Sequence, residues 1–428
     1  MTLLILGLFA VALTLLGFFV SAAALKRLVI LGLSLGVLSV LLTWNAPLEM
    51  GPYRVDGVSR TFTLLALLGA LWTVGLVRSR RFEFHLLVLY AALGMHLLAS
   101  TKNLILMLVA LEALSLPLYA LAAWRRGEGL EAALKYFLLG ALAAAFFLFG
   151  SALHFGATGS LEAGAPGAGP LYTLALGLLL VGLGFKVALA PFHFWTPDVY
   201  QGSPTPVVLF MATGVKAAAF AALLRIAAPG PGDALTLLIA LSVLLGNLAA
   251  LSQKETKRLL AYSSIAHAGY MALALYTGSA EALGFYLLTY VLATGLAFAV
   301  LSEISPDRVP LEGLKGLFQK DPFLGLALFL AALSLLGLPP LAGFWGKYLV
   351  FSEAAKAGQW GLLVLALLTS AVSAYYYLAL ALAPFQKGEA EAAPRPLARN
   401  VALLVGLLLL LLGLFPGTVL PALAAGHP

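Results

Sequence analysis

The feature that most constrains this chain is a succession of long apolar runs that continues along nearly all of its 428 residues. A transmembrane helix needs about 20 apolar residues to cross a hydrocarbon core of roughly 30 Å. This length predicts an all-α integral membrane protein with about 14 transmembrane helices. The predicted spans are 2–25, 28–46, 61–79, 84–100, 103–123, 132–156, 171–195, 205–228, 234–252, 258–276, 281–303, 322–355, 361–385 and 399–420.

The composition agrees with a lipid-facing surface and excludes several other classes of protein. Only 10% of the residues are charged, against about 25% in soluble domains. The chain has no cysteine, which excludes thiolate metal sites and iron–sulfur clusters ligated by this chain. The net charge of +7 is not gathered on a soluble basic face, so we expect no nucleic acid partner.

The distribution of Lys and Arg predicts the orientation. Loops after odd-numbered spans hold 16 of the 25 Lys and Arg residues, and loops after even-numbered spans hold 5. The positive-inside rule places the odd loops in the cytoplasm and both termini on the outer, periplasmic side. The remaining four of the 25 cations, which the count assigns to no loop, are Lys135, Lys186, Lys216 and Lys347.

Two spans contain prolines that predict broken helices. The seventh reaches Pro191 before it leaves the apolar region, and the twelfth contains Pro339, Pro340 and Gly343. Broken helices recur in transporters at corresponding positions of two repeats. Since the breaks lie five spans apart, we predict two inverted five-helix repeats. The predicted division is 1–83 for helices 1–3, 84–228 for helices 4–8, 234–385 for helices 9–13 and 399–428 for helix 14.

Four ionisable residues are candidates for function because they lie inside these spans: Glu112, Lys186, Lys216 and Lys347. A charge at mid-membrane costs about 2.5–3.5 kcal/mol on insertion scales. For Glu112 and Lys216 the alternative interpretation is a structural ion pair between helices. For Lys347 it is an ammonium that reaches the membrane interface, for which Lys186 lies too deep.

Lysine is suited to carry protons because it can lose its proton in an apolar setting and regain it beside a carboxylate. Arginine stays protonated and cannot do this. Lys135 and His267 are weaker relay candidates; a lysine near a helix end or a hydrogen-bonded core histidine explains them equally well. His193 and Asp198 are interpreted as pins of the broken segment, and His96 and His154 as structural.

Three motifs resemble one protein family. They are PFHFWTPDVYQGSPTPVVLFMATGVKAAAF (191–220), SQKETKRLLAYSSIAHAGYM (252–271) and LPPLAGFWGKYLVF (338–351). Together they resemble the antiporter-like membrane subunits of respiratory complex I and of multi-subunit Na⁺/H⁺ antiporters. The resemblance implies fourteen helices, inverted five-helix repeats and breaks in helices 7 and 12, in agreement with the prediction from the residues.

The resemblance also implies roles for the charged residues. The family's fifth-helix Glu falls on Glu112, its seventh- and eighth-helix Lys on Lys186 and Lys216, and its twelfth-helix ionisable position on Lys347. Lys347 and the short C-terminus are most similar to the N type of bacterial NADH-quinone oxidoreductase subunit. The implied function is proton translocation in a bacterial inner membrane, coupled to NADH oxidation and quinone reduction in partner subunits that hold FMN, iron–sulfur clusters and quinone. This chain is expected to hold no cofactor.

Three alternatives remain open on the sequence. The chain can instead belong to a multi-subunit Na⁺/H⁺ antiporter or to a membrane-bound hydrogenase, since the proton machinery is shared. A membrane scaffold without transport function is the third, and it gives no reason for three lysines at depth.

Overall fold

The computed structural model describes residues 1–79, 81–125, 127–227, 232–305, 307–392, 395–420 and 423, and it is almost entirely helical. The helices are α1 (Thr2–Leu16), α2 (Ala22–Leu42), α3 (Gly57–Leu76), α4 (Phe82–Ala99), α5 (Leu104–Ala122), α6 (Glu128–Thr158), α7 (Gly169–Val187), α8 (Trp195–Gly202), α9 (Thr205–Phe210), α10 (Lys216–Ile226), α11 (Asp233–Ala250), α12 (Thr256–Tyr276), α13 (Ala280–Ile304), α14 (Leu317–Lys320), α15 (Pro322–Leu336), α16 (Ala342–Lys356), α17 (Trp360–Leu382) and α18 (Pro396–Leu414).

Within these described ranges, ten helices are long and apolar enough to cross a membrane. The all-α membrane fold is therefore confirmed. Every predicted span contains a described helix, and the number that cross the membrane stays a prediction. The helix α12 is long enough but is not one of the ten; it is rich in polar residues and almost entirely buried.

The predicted first span, 2–25, is wrong at its C-terminal end. Helix α1 ends at Leu16, and α2 begins after Ser21, whose hydroxyl accepts a hydrogen bond from the Ala24 amide at 3.3 Å. A side-chain cap of this kind starts a new helix inside an uninterrupted apolar run. The prediction also missed a β-hairpin formed by β1 (Leu48–Met50) and β2 (Tyr53–Val55), which pair antiparallel.

The predicted breaks in helices 7 and 12 are confirmed. Helix α7 ends at Val187, and Ala188 adopts a φ of 63° before α8 begins. Helix α15 ends at Leu336, and Gly337 adopts a φ of 85°, a conformation in which glycine is favoured because it has no Cβ. The eighth span has an irregularity that was not predicted, a π-helical turn at Met211–Val215 between α9 and α10.

The chain divides into two compact units. The first consists of Met1–Val187 and the described part of Thr213–Gly230, and so contains α1–α7, the hairpin and α10. Within it, α6 packs along α7, and α10 packs against α3, α4 and α7. The second consists of Ala188–Ala212 and the described part of Pro231–Ala424. Within it, α12 packs against α8, α11, α13 and α16. The inverted repeats stay a prediction.

Among the described residues, three cations that the topology count assigned to loops are buried in helix ends. Arg60 is buried in the first turn of α3, and Arg225 is buried in the last turn of α10. Lys257 is completely buried in the first turn of α12, where its ammonium donates a hydrogen bond of 2.8 Å to the Ser203 carbonyl. Lys257 and Arg225 donate to carbonyls at the ends of α8 and α4, where helix C-termini leave carbonyls free to accept such bonds.

Candidate functional site

One face of α5, in the first unit, carries a carboxylate and two hydroxyl groups. Helix α5 begins after Asn103, whose side chain accepts a hydrogen bond from the Leu106 amide at 3.0 Å. Glu112, Ser115 and Tyr119 follow at spacings of three and four residues, which places them on one helix face. Glu112 is half-buried, whereas Ser115 and Tyr119 are buried. This face is therefore a polar strip inside an otherwise apolar helix.

Lys186 lies buried in the last turn of α7, surrounded by aromatic rings. Its ammonium is 5.3 Å from the centre of the Tyr119 ring, 5.0 Å from that of Tyr136 and 5.4 Å from that of Phe185. It also donates a hydrogen bond of 3.5 Å to the Tyr119 hydroxyl. Ring faces attract cations at these distances, and the C-terminal end of a helix carries partial negative charge. Both effects favour the charged lysine.

Glu112 and Lys186 lie on neighbouring parts of the first unit and interact through their charges. The Glu112 carboxylate interacts electrostatically with the Lys186 ammonium. It also acts on the Tyr119 hydroxyl, which is the hydrogen-bond acceptor for Lys186. Tyr119 is therefore a shared neighbour of both charges.

Lys216 is the first residue of α10 and follows directly on the π-helical turn. It is almost completely buried, with 1% of its surface exposed. A Cβ added at Gly69 of α3 would lie 2.6 Å from the Thr213 hydroxyl, so the absence of a side chain there lets the π turn approach. π-helical turns are often found at functional sites.

Lys347 belongs to the second unit and is buried beside the break in helix 12. Its ammonium donates hydrogen bonds of 2.8 Å to the Leu336 carbonyl and 2.8 Å to the Ser370 hydroxyl. Leu336 is the last residue of α15, so its carbonyl is one of those freed where the helix stops. The Tyr270 ring centre lies 5.3 Å from the same ammonium. The interpretation of Lys347 as an interface lysine has no support in these contacts.

His267 lies in a tyrosine-rich cluster of the second unit. Its Nδ1 shares a hydrogen bond of 2.8 Å with the Tyr286 hydroxyl, and its Nε2 shares one of 2.8 Å with the Tyr377 hydroxyl. Its ring also meets the Tyr270 ring edge-on at 5.9 Å, so Tyr270 touches both His267 and Lys347.

A small cavity adjoins this cluster at the break in helix 12. His267, Tyr286, Tyr290, Ser334 and Gly343 are among its lining residues. The centre of a water molecule has about 10 Å³ of free space in this cavity, roughly what one bound water molecule needs.

The secondary candidates are held by ion pairs and hydrogen bonds with other side chains. Lys135 is exposed near the start of α6 and forms an ion pair of 2.8 Å with Glu131, one turn away. Asp198 of α8 forms an ion pair of 2.7 Å with Arg258 of α12, which agrees with its interpretation as a structural pin. His96 shares hydrogen bonds with Tyr53 at 2.8 Å and Thr63 at 3.0 Å.

The aromatic and hydroxyl partners of the lysines were missed by the sequence analysis. Tyr119 could have been found, because it lies seven residues after Glu112 and therefore on the same helix face. Tyr136 and Ser370 carry no such signal, since each lies on a different helix from the lysine that it contacts. Among the described residues, no group of three or more His, Asp or Glu side chains is arranged to hold a metal ion.

Comparison with known proteins identifies the family. Residues 101–373 match the family described as NADH:quinone oxidoreductase/Mrp antiporter, transmembrane. The chain belongs to this family. It is 77% identical to NADH-quinone oxidoreductase subunit 14 of Thermus thermophilus over the whole of both chains. It is 38% identical to subunit N of Desulforamulus reducens, over 93% of this chain and 90% of that one.

Solved structures share the fold. A chain in the structure of respiratory complex I from Thermus thermophilus with bound aureothin superimposes with a TM-score of 0.98, at 77% identity and complete coverage of both chains. A chain of an archaeal membrane-bound sulfane sulfur reductase superimposes with a TM-score of 0.90 at 24% identity, covering 99% of this chain and 96% of that one. The second likeness concerns the fold alone.

Proposed function

We propose that this chain is the N-type, proton-translocating membrane subunit of a bacterial respiratory complex I, an NADH:quinone oxidoreductase. The observation that carries the proposal is the 77% identity over full length to subunit 14 of the Thermus thermophilus enzyme. At that identity the whole chain, not only its proton machinery, is shared. The identity favours complex I over an antiporter or a hydrogenase assembly.

The proton path runs through Glu112, Lys186, Lys216 and Lys347. Its first support is that the three lysines are buried. Its second is that, among the described residues, the Lys186 and Lys347 ammonium groups contact hydroxyls, rings and a carbonyl rather than forming a tight ion pair. Such surroundings hold an ammonium and still let it release a proton when its electrostatic partner changes. His267 extends the path in the second unit, and Lys135 is the candidate for proton uptake near the start of α6.

Neighbouring subunits supply the driving force through Glu112. This carboxylate is only half-buried, and Val109 and Leu116, one turn before and after it, are exposed apolar residues. A carboxylate on such a strip is costly against lipid. Another membrane subunit of the complex therefore covers this face. A change in its contact with Glu112 alters the attraction between Glu112 and Lys186, and so drives the proton on Lys186 forward.

Redox chemistry belongs to the partner subunits. NADH, FMN, iron–sulfur clusters and quinone are bound there, and this chain holds no cofactor. Odd-numbered loops face the cytoplasm and both termini face the periplasm, supported by the distribution of 16 against 5 Lys and Arg residues.

The test uses the complete complex in sealed proteoliposomes with NADH and a quinone. Glu112→Gln, Lys186→Met and Lys216→Met should each lower proton pumping at least tenfold, because each removes one charge from the path. Lys356→Met is the matched control, since Lys356 is exposed and pairs with Glu353 at a helix end. Unchanged pumping in all three path variants would refute the path. Purification of the wild-type chain in an assembly without flavin and clusters would refute the assignment to complex I.

A further inference from the structure

We propose that Tyr119 is a positioning residue which holds the Lys186 ammonium at a set place beside Glu112, and that Gly140 keeps the space that Tyr119 needs. The inference rests on the proposed function, because it presumes that Lys186 carries a proton. Neither Tyr119 nor Gly140 is charged, so neither attracts attention as a proton carrier.

Tyr119 lies between the Lys186 ammonium and the Glu112 carboxylate and interacts with both. Its hydroxyl accepts the hydrogen bond from Lys186 at 3.5 Å, and its ring face lies 5.3 Å from the same ammonium. On the other side, the Tyr119 hydroxyl interacts electrostatically with the Glu112 carboxylate and lies near the Ser115 hydroxyl. Ser115 in turn donates to the Leu111 carbonyl. A fixed line of polar groups thus runs along α5 and ends on Lys186.

Packing fixes the ring as firmly as the hydrogen bonds do. The Tyr119 ring meets the Tyr136 ring edge-on, at 4.9 Å between centres and an angle of 90°. The Tyr136 ring centre also lies 5.0 Å from the Lys186 ammonium. Two perpendicular rings therefore form adjacent walls around the cation, which restricts where the ammonium can lie.

Gly140 of α6 makes room for the Tyr119 hydroxyl. A Cβ added at Gly140 would collide with the Tyr119 hydroxyl and would lie 2.9 Å from Cζ of the same ring. Atoms do not approach so closely, so any larger residue at 140 forces the ring to move. Because the ring is also the wall that Lys186 touches, the displacement reaches the ammonium directly.

A matched glycine provides the control. Gly177 lies in the interior of α7, and a Cβ added there would meet nothing within 4 Å. Replacing either glycine by alanine improves helix propensity by a similar amount. A difference between Gly140→Ala and Gly177→Ala therefore isolates the collision with Tyr119.

The experiment compares proton pumping by the complete complex in proteoliposomes. Tyr119→Phe keeps the ring and removes the hydroxyl, so we expect pumping to fall about two- to tenfold, as for the loss of one hydrogen bond. Tyr119→Leu should lower pumping further. Gly140→Ala should lower it while Gly177→Ala does not. In the Tyr119→Phe background, Gly140→Ala should cause less additional loss, because the hydroxyl that it would displace is gone.

The pH dependence separates positioning from a purely structural role. Groups that face the Lys186 ammonium are Glu112 and Tyr119 from α5 and Tyr136 from α6, and Lys216 lies on α10, which also packs against α7. Removing the hydroxyl takes away an acceptor for the charged lysine. The alkaline limb of the pumping profile should therefore move to lower pH in Tyr119→Phe. A structural role would lower the rate without moving the limb.

The outcomes are distinguishable. Lys186→Met is included throughout: if it pumps like the wild type, the proposed function fails. If Lys186→Met stops pumping but Tyr119→Phe matches the wild type in rate and pH profile, the Tyr119 inference alone is overturned. If Gly140→Ala prevents assembly, the Tyr119→Phe profile decides, because that substitution removes one oxygen and introduces no collision.

Discussion

The ion pair between Arg225 and Asp56 offers a direct test of how the first unit holds α10 in place. The Arg225 guanidinium donates to both carboxylate oxygens of Asp56, at 3.1 and 2.9 Å, and to the Ala99 carbonyl at 3.0 Å. Asp56 also caps α3 by accepting a hydrogen bond of 2.9 Å from the Ser59 amide. The pair therefore joins the start of α3 to the end of the helix that begins at Lys216.

The expected magnitude follows from burial. The Arg225 side chain is 5% exposed and that of Asp56 is 13% exposed. Removing one partner of such a pair leaves a buried charge and destabilises by about 3–5 kcal/mol. Arg225→Met should therefore cost about 3 kcal/mol, at the lower end of this range, because Arg54 still lies 3.5 Å from the Asp56 carboxylate. Asp56→Asn should cost a similar amount through the stranded guanidinium alone, since asparagine is an equally good N-cap.

The assay is thermal unfolding of the full chain in lipid nanodiscs. Each single variant should lower the Tm by roughly 6 °C or more, using about 2 °C per kcal/mol for a unit of this size. The double variant Arg225→Met with Asp56→Asn removes both charges and should lose less than the sum of the single losses by at least about 2 kcal/mol. Strict additivity, or a single-variant loss below about 1 kcal/mol, would refute the reasoning from burial.

Three further outcomes are expected. Burial raises the pKa of the Asp56 carboxyl, but the Arg225 guanidinium, the Ser59 amide and the Arg54 guanidinium together outweigh burial and hold that pKa below 3.8. The stability from these contacts should therefore be present above pH 3.8 and be lost below it in acid unfolding curves, and the double variant should lack this step. Ser370→Ala should slow proton pumping less than Lys347→Met does, because the Leu336 carbonyl still holds the ammonium. Gly413→Ala should lower the Tm of the chain, because a Cβ there would collide with the Pro340 carbonyl.

The helices and their breaks could be predicted because membranes impose a length and prolines interrupt hydrogen bonding. The boundary at Leu16 could not, because a single serine cap inside an apolar run has little weight in a count of hydrophobic residues. The π-helical turn at Met211–Val215 was missed for a similar reason. Its sequence is apolar and compatible with a regular α-helix, and the packing of Thr213 against Gly69 is a tertiary contact.

In the candidate site, the charged residues could be predicted from the sequence and their contact partners could not. Charged residues within apolar spans are conspicuous, so Glu112, Lys186, Lys216 and Lys347 could be selected from the sequence alone. Their partners are rings, hydroxyls and carbonyls that are common in any helix, and these become meaningful only when neighbouring helices pack. The collision that Gly140 avoids with Tyr119 is an example, because it depends on the approach of α6 to α5.

The free-energy cost of burying a charged ammonium is offset by the same physical means at Lys186 and Lys347, although the two lysines lie in different units. Lys186 is in the last turn of α7, and the ammonium of Lys347 binds the last carbonyl of α15. Lys347 binds the negative end of a helix that stops inside the protein, and Lys186 belongs to the last turn of another, a position that contributes up to about 2 kcal/mol to holding a cation. A tyrosine ring adds about 0.5–2 kcal/mol. Together these are comparable with the cost of about 2.5–3.5 kcal/mol for a charge at mid-membrane. Both lysines can therefore hold a proton without a permanent carboxylate partner, and a modest change in a nearby charge is then enough to release it.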